Sequence, residues 1–194
     1  MNASPSSLLF MAFLAVYLAI RGYYIRRARH PKAVSRNNLV DRLLVLTMGL
    51  GQVVLPFVLL TRPGLLAFAD RVQPLACLVL DALAMVAGLW LFWRSHADLG
   101  DSWSVTLELN PRHRLVTRGV YRVVRHPMYV AFFVLGVGQA LLLANWAAGF
   151  GGLVATSLLV AVRLPREEAM MIEAFGEEYR DYMRRTGGLV PRRL

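Results

Sequence analysis

The sequence of 194 residues has a single cysteine, Cys77. No intrachain disulfide is possible, and the position of Cys77 in an apolar block reads as packing. Zinc spacing is absent. His96 and His113 stand apart with no third ligand, so no metal site is expected. No basic tail interleaved with aromatics is present either. The net charge of +10 at pH 7 is therefore read against a membrane before nucleic acid, and no nucleic-acid partner is expected. No Gly-x-Gly-x-x-Gly follows a strand. Gly49-Leu-Gly51 and Gly136-Val-Gly138 lie in apolar blocks and read as close helix packing. The opening residues, Met1 to Ser7, lack a basic n-region, so the first apolar block is expected to be retained. Charge is scarce as well, 18% against 57% hydrophobic residues, with mean hydropathy +0.48. A soluble domain of this length carries more charge and less apolar surface.

What is present is a series of apolar blocks: Leu8 to Ile20 (extendable through Tyr24), Leu43 to Leu60, Pro74 to Trp93, Met128 to Leu143 and Ala147 to Leu164. They predict an all-α, polytopic membrane bundle of about five transmembrane helices with a cytoplasmic C-terminal helix. Residues 1–194 read as one membrane domain. Residues 1–93 supply the first three membrane helices, and 94–194 a long polar loop, a helical hairpin and the C-terminal helix. Pro56 is expected to kink the second helix near its end, and Thr61-Arg-Pro-Gly64 reads as a turn. The fourth block has sixteen residues, roughly 24 Å as a helix, short of a span of about 30 Å. The last two blocks therefore read as a hairpin that barely crosses. The tail from Pro165 is expected to be helical to about Arg185 and to end at Gly187-Gly188. Trp90, Trp93, Trp103 and Trp146 read first as interfacial anchors. Asp81, inside the third block, reads as a structural or neutral group ahead of a site residue.

Lys and Arg number seven in residues 21–42, six in 94–125 and seven in 163–194, against only Arg62 and Arg71 in the alternate loops. The positive-inside rule places the three basic segments in the cytoplasm and the N-terminus outside.

The densest chemistry lies in Arg118-Gly-Val-Tyr-Arg-Val-Val-Arg-His-Pro-Met-Tyr129. Pro127 disfavours helix at His126 and suits the first turn of a helix beginning near Met128. The imidazole then lies at a helix mouth among basic side chains, a setting for something anionic. A loop that only fixes topology is the alternative. The tail adds Arg163-Leu-Pro-Arg-Glu-Glu168, where Arg163 and Glu167 share one helix face. They sit where the fifth block ends, and charge there is costly unless paired or facing a wet cavity. Glu177, Glu178, Arg180, Asp181, Arg184 and Arg185 read as the solvated face of an amphipathic helix.

Four elements occur in order: His113-x-Leu-Val-Thr-x-Gly-Val-Tyr121, Arg125-His-Pro-Met-Tyr129, Arg163-x-x-x-Glu-Glu168, and Phe175-Gly-Glu-Glu-Tyr179 with Tyr182. Over residues 96–191 this pattern resembles the isoprenylcysteine carboxyl methyltransferase family, which is related to the phospholipid N-methyltransferases. Leu99-Gly-Asp-Ser-Trp-Ser104 resembles the segment before the motif, whereas Ala131 stands where the family often has glycine. The resemblance implies S-adenosylmethionine as methyl donor, bound at the cytoplasmic membrane surface without a Rossmann domain. It maps the cofactor region to His113, Leu115, Val116, Gly119, Tyr121, His126, Pro127 and Tyr129, with Glu167 or Glu168 from the tail.

Physical chemistry runs alongside. A carboxylate such as Glu168 can hold the donor's ammonium, and Arg125 or His126 its carboxylate. Tyr121 and Tyr129 offer aromatic faces to adenine or the sulfonium. A carboxylate nucleophile is already ionised at pH 7 and needs only a cation to orient it. Arg163 is the candidate, with Glu167 holding that guanidinium. An amine or thiol would have to lose a proton to Glu167 or His126. The expected function is carboxyl O-methylation of a prenylcysteine-like acid that enters from the bilayer. Methylation of a phospholipid or small lipophilic amine or thiol is the alternative. A different class, a non-catalytic protein binding anionic lipid or a small transporter using Asp81, stays open. Nothing in the pattern fixes an oligomeric state.

Overall fold

The computed structural model describes residues 5–27, 34–35, 39–72, 78–103, 108–109 and 114–192. Cys77 and His113 lie outside the described residues. Among the described residues six helices carry the fold: α1 (Pro5–Arg27), α2 (Leu39–Thr61), α3 (Leu78–Leu99), α4 (Pro127–Leu142), α5 (Trp146–Phe175) and α6 (Glu177–Arg185). Two residues on either side, Val34–Ser35 and Glu108–Leu109, pair antiparallel.

Four of these helices, α1, α2, α3 and α5, are long and apolar enough to cross a membrane, and α4 is the shorter fifth. Their outer faces present Leu46, Phe57, Val79, Leu83, Val86 and Val154, each more than half exposed. A water-soluble bundle would not leave so continuous an apolar surface open. The chain is an integral membrane protein built from helices. The core runs through Phe10, Leu14, Met85, Leu89, Phe92, Phe132, Leu135 and Leu159. The central element is α4, with ten of its sixteen residues buried between α3 and α5. Its all-round apolarity follows from that position.

The α4–α5 hairpin is locked at its tip. Asn145 caps α5 by accepting from the Ala148 N–H at 3.0 Å. Its amide donates to Leu66 O at 2.7 Å and to Asp70 at 2.9 Å. Arg71 donates to the last carbonyls of α4, with Leu141 O and Leu143 O both at 3.1 Å. These contacts satisfy groups that a helix end leaves without partners.

The kink expected at Pro56 takes the form of a π turn, Leu50–Val54, immediately before it. A proline cannot supply the next ladder donor, and the hydrogen-bond register slips. The carbonyl of Gly51 instead accepts from the Gln139 amide at 2.8 Å, which also donates to Ala148 O at 2.7 Å. Here α2 and α5 cross backbone to backbone: a Cβ on Gly51 would lie 2.3 Å from Gly151 O. Gly51→Ala is therefore expected to lower stability by roughly 1–3 kcal/mol, read as a drop in thermal midpoint in detergent. An unchanged midpoint would mean that the crossing tolerates separation.

The last membrane helix runs further than its apolar block. A single helix of 30 residues continues through Pro165 to Phe175, so the expected boundary near Leu164 is corrected. Proline costs one hydrogen bond but leaves the helix intact where flanking turns pack. Here Leu164 packs on the main core and Met170 is buried. At roughly 45 Å the helix outruns a hydrocarbon layer of about 30 Å and carries Arg163, Glu167 and Glu168 to its edge. Gly176, at φ +54°, turns the chain into α6. Beside this exit Arg166 forms a two-pronged ion pair, 3.0 and 3.1 Å, with the fully buried Asp41 at the start of α2.

Candidate functional site

The site is assembled where α3 ends and α4 begins, against the later turns of α5. Gly119 adopts φ +61°, and a Cβ there would strike the Asp98 carboxylate. That carboxylate accepts the Val120 N–H at 2.9 Å and pairs with Arg94 at 2.9 Å. The short 3₁₀ turn Gly119–Arg122 that follows directs Tyr121 inward, its hydroxyl 3.3 Å from Ser95 O. His126 then occupies the N-cap of α4, with Pro127 at the first helical position.

The C-terminal segment straps this loop down. Gly187 O and Gly188 O accept the backbone N–H groups of Arg125 and His126 at 2.8 and 3.1 Å. Tyr182 donates to Tyr121 O at 2.5 Å. The Arg125 guanidinium reaches Glu168 Oε1 at 2.6 and 3.1 Å and also bonds Thr186 O. His126 Nε2 lies 3.1 Å from the same Glu168 oxygen. A second cluster stands beside it. Tyr129 donates to Glu167 Oε2 at 2.5 Å, and Arg163 Nε is 3.9 Å from that oxygen. Nδ1 of His126 lies 4.0 Å from the other oxygen of Glu167.

Between these clusters lies a cavity of about 280 Å³. Its lining includes Leu115, Val116, Tyr121, Arg125, His126 and Glu167, with Tyr179 and Tyr182 of α6. It also includes Tyr17 and Leu18 of α1, Met48, Gly49 and Val53 of α2, and Phe132 and Leu159, which are mostly apolar. Burial pushes the phenols of Tyr121, Tyr179 and Tyr182 above their ordinary range. They stay neutral hydroxyls, able to donate, throughout the physiological range.

Of the residues singled out from the sequence, Leu115, Val116, Tyr121, Arg125, His126, Pro127, Tyr129, Arg163 and Glu167 all line this cavity. Gly119 and Glu168 stand behind it, one against Asp98 and the other holding Arg125 and His126. Among the contributors that escaped the sequence reading are Trp103, Tyr17 and Arg21. Trp103 is 5% exposed and forms part of the wall instead of a membrane anchor, unlike Trp90, Trp93 and Trp146 at 57%, 43% and 51%. Tyr17 and Arg21 reach the cavity from α1. The signal for them was helical spacing: Phe10, Leu14, Tyr17 and Arg21 recur on one face, and Arg21 counted only as a topology charge. The wall as a whole combines anionic, cationic, aromatic and main-chain groups. That set fits a charged nucleoside bearing a sulfonium, an ammonium and a carboxylate.

Fold and cavity together define a helical integral-membrane protein whose site is shared between a polar loop region and the bilayer interior. The sequence profile of the isoprenylcysteine carboxyl methyltransferase family matches residues 78–173. The protein-S-isoprenylcysteine O-methyltransferase of Schizosaccharomyces pombe is 32% identical over 106 residues, 54% of this chain and 45% of that protein. The Arabidopsis thaliana protein-S-isoprenylcysteine O-methyltransferase A is 34% identical over 94 residues, 47% of this chain and 48% of that one. The Mus musculus counterpart is 38% identical over 82 residues, 42% and 29% respectively. A solved structure of a eukaryotic intramembrane Ras methyltransferase superposes with a TM-score of 0.63 at 23% identity, covering 98% of this chain and 69% of that one. Over residues 78–173 the chain is similar to the isoprenylcysteine carboxyl methyltransferase family. It spans about half the length, or less, of the curated relatives it matches.

Proposed function

We propose that this chain is an S-adenosylmethionine-dependent methyltransferase that esterifies the carboxylate of a prenylcysteine-like acceptor at the cytoplasmic face of the membrane. The observation that carries this reading is the single cavity with two characters. Its charged and aromatic lining suits a water-soluble donor, and its mostly apolar lining from α1 and α2 suits an isoprenoid chain arriving from the bilayer. The names of the curated relatives and the basic segments at this end of the bundle support the acceptor and the orientation.

S-adenosylmethionine, when bound, would supply a sulfonium methyl group to whose carbon an acceptor oxygen bonds as the carbon–sulfur bond breaks and its pair leaves on sulfur. The chain's own residues bind, align and exclude water. Arg125 and His126 take the donor's carboxylate, the Leu115–Val116 main chain takes the base edge, and Tyr121 packs against the nucleoside. Glu168, with three donors on one oxygen, keeps Arg125 and His126 in register. Glu167, steadied by Tyr129, holds Arg163 toward the cavity. Arg163 then orients an acceptor carboxylate that needs no base, because it is ionised at pH 7. Alignment is the main requirement of such a displacement, and the tyrosine roof keeps water out.

Calorimetry on the detergent-purified protein tests this. Saturable binding of S-adenosylhomocysteine is expected, abolished by His126→Ala in a variant that keeps its helical content. Methyl transfer to N-acetyl-S-farnesylcysteine is expected with it. A well-folded wild type that binds no S-adenosylhomocysteine with lipid present would overturn the reading in favour of a lipid-binding scaffold.

A further inference from the structure

We propose that Arg21 of α1 is the second cation of the acceptor's carboxylate subsite, acting together with Arg163. The inference rests on the function proposed above and names a substrate-binding residue outside residues 78–173, the range matched by the family profile.

Arg21 differs from the other arginines of its helix. Arg26 and Arg27 are exposed at the end of α1, where cations mark topology. Arg21 lies six residues before Arg27, roughly 9 Å along the axis. It is half-buried on the stripe of Phe10, Leu14 and Tyr17 that faces the bundle. Among the described residues no carboxylate pairs with it. Its guanidinium lies over the ring of the buried Trp103, 5.3 Å from the centroid. Such a contact weakly offsets the loss of water and leaves the positive charge unneutralised. An arginine held toward the bundle interior without a counter-charge is costly, and in membrane proteins such a residue commonly belongs to a functional site.

The cavity shows where that anion would sit. Arg21 and Arg163 both line it, and they are close enough to repel one another. Glu167 reaches Arg163 at 3.9 Å but is shared with Tyr129. Arg21, which no carboxylate among the described residues pairs, faces the same space as Arg163 and can take a negative charge brought in by a ligand. A carboxylate offers two oxygens and can accept from both arginines at once, as planar guanidinium forks favour. Tyr17 and Leu18, beside Arg21, and Met48 and Val53 across the gap provide the apolar wall that continues from this point. A short polar head on a long apolar tail therefore meets Arg21 and Arg163 with its acid and the α1–α2 gap with its chain.

The test is calorimetric and needs no turnover. The wild type, Arg21→Gln and Arg21→Lys are titrated with N-acetyl-S-farnesylcysteine and with its carboxamide, both with S-adenosylhomocysteine present. Wild type is expected to bind the acid at least about tenfold more tightly than the carboxamide, the scale of one charge-assisted contact of about 1.4 kcal/mol. Arg21→Gln should lose most of that preference while keeping its affinity for the carboxamide and for S-adenosylhomocysteine. Arg21→Lys, which keeps the charge and guards against loss of fold, should fall between. An Arg21→Gln protein that still prefers the acid as strongly as wild type overturns the role of Arg21 and leaves the proposed function standing. A wild type that binds acid and carboxamide alike overturns the carboxylate subsite itself, and with it both readings.

Discussion

Replacing Glu168 by alanine is expected to destabilise the protein by about 3 kcal/mol, the lower end of the range for breaking a buried ion pair. One oxygen of this carboxylate accepts Arg125 Nε and Nη2 and faces His126 Nε2. The Arg125 and Glu168 side chains are only 11% and 17% exposed. Arg125 in turn bonds the Thr186 and Met183 carbonyls, so its displacement would release the C-terminal strap. The alanine variant should therefore melt several degrees below wild type and lose affinity for S-adenosylhomocysteine as a consequence. Glu168→Gln, which keeps one acceptor, should lose less on both counts. Thermal melts in detergent, compared with nucleoside affinity at low temperature, separate the two roles. Lost affinity with an unchanged melting point would show Glu168 to be a direct ligand contact, as the sequence alone had suggested, and not a support.

The second large effect is expected at Arg163. Arg163→Gln should reduce methyl transfer by roughly 10²–10³-fold, the scale on which one buried, preorganised donor contributes to a reaction. Affinity for S-adenosylhomocysteine should stay within a few-fold of wild type, because Arg163 belongs to the acceptor side of the cavity in the proposed arrangement. Rates of ester formation with saturating donor, measured beside calorimetric titration, check the split. Transfer that persists within tenfold would remove Arg163 from the reaction. Parallel loss of nucleoside binding would place it on the donor side instead.

Several elements of this protein were legible from residue patterns because they depend on local chemistry. The apolar blocks are long, and burial in lipid requires backbone groups to be satisfied within each segment, so helix is the only economical outcome. The start of α4 at Pro127 follows from what proline forbids at the preceding residue and permits at the first turn. Arg163 and Glu167 share a face because a helix repeats at that interval. Helix ends were less legible. The tail read as helical from Pro165 proved continuous with the last membrane helix, since packing on both sides outweighs one missing hydrogen bond. The kink expected at Pro56 takes the form of a π turn, and the Gly51 carbonyl there is met by Gln139, distant in sequence.

The sequence by itself determined that the chain is a helical membrane protein, where its basic segments fall, and which motif residues carry charge. Those properties are set by composition, period and nearest neighbours. Only the tertiary structure decided how the charges are divided. Glu167 and Glu168 are adjacent and chemically identical, yet one lines the cavity and the other locks Arg125 and His126. Successive residues on a helix point about a hundred degrees apart, and which direction faces the site depends on what packs there. The same reason hid Arg21 among topology charges and Trp103 among interfacial tryptophans. Their roles depend on α1 docking against the loop after α3, a contact between segments some eighty residues apart.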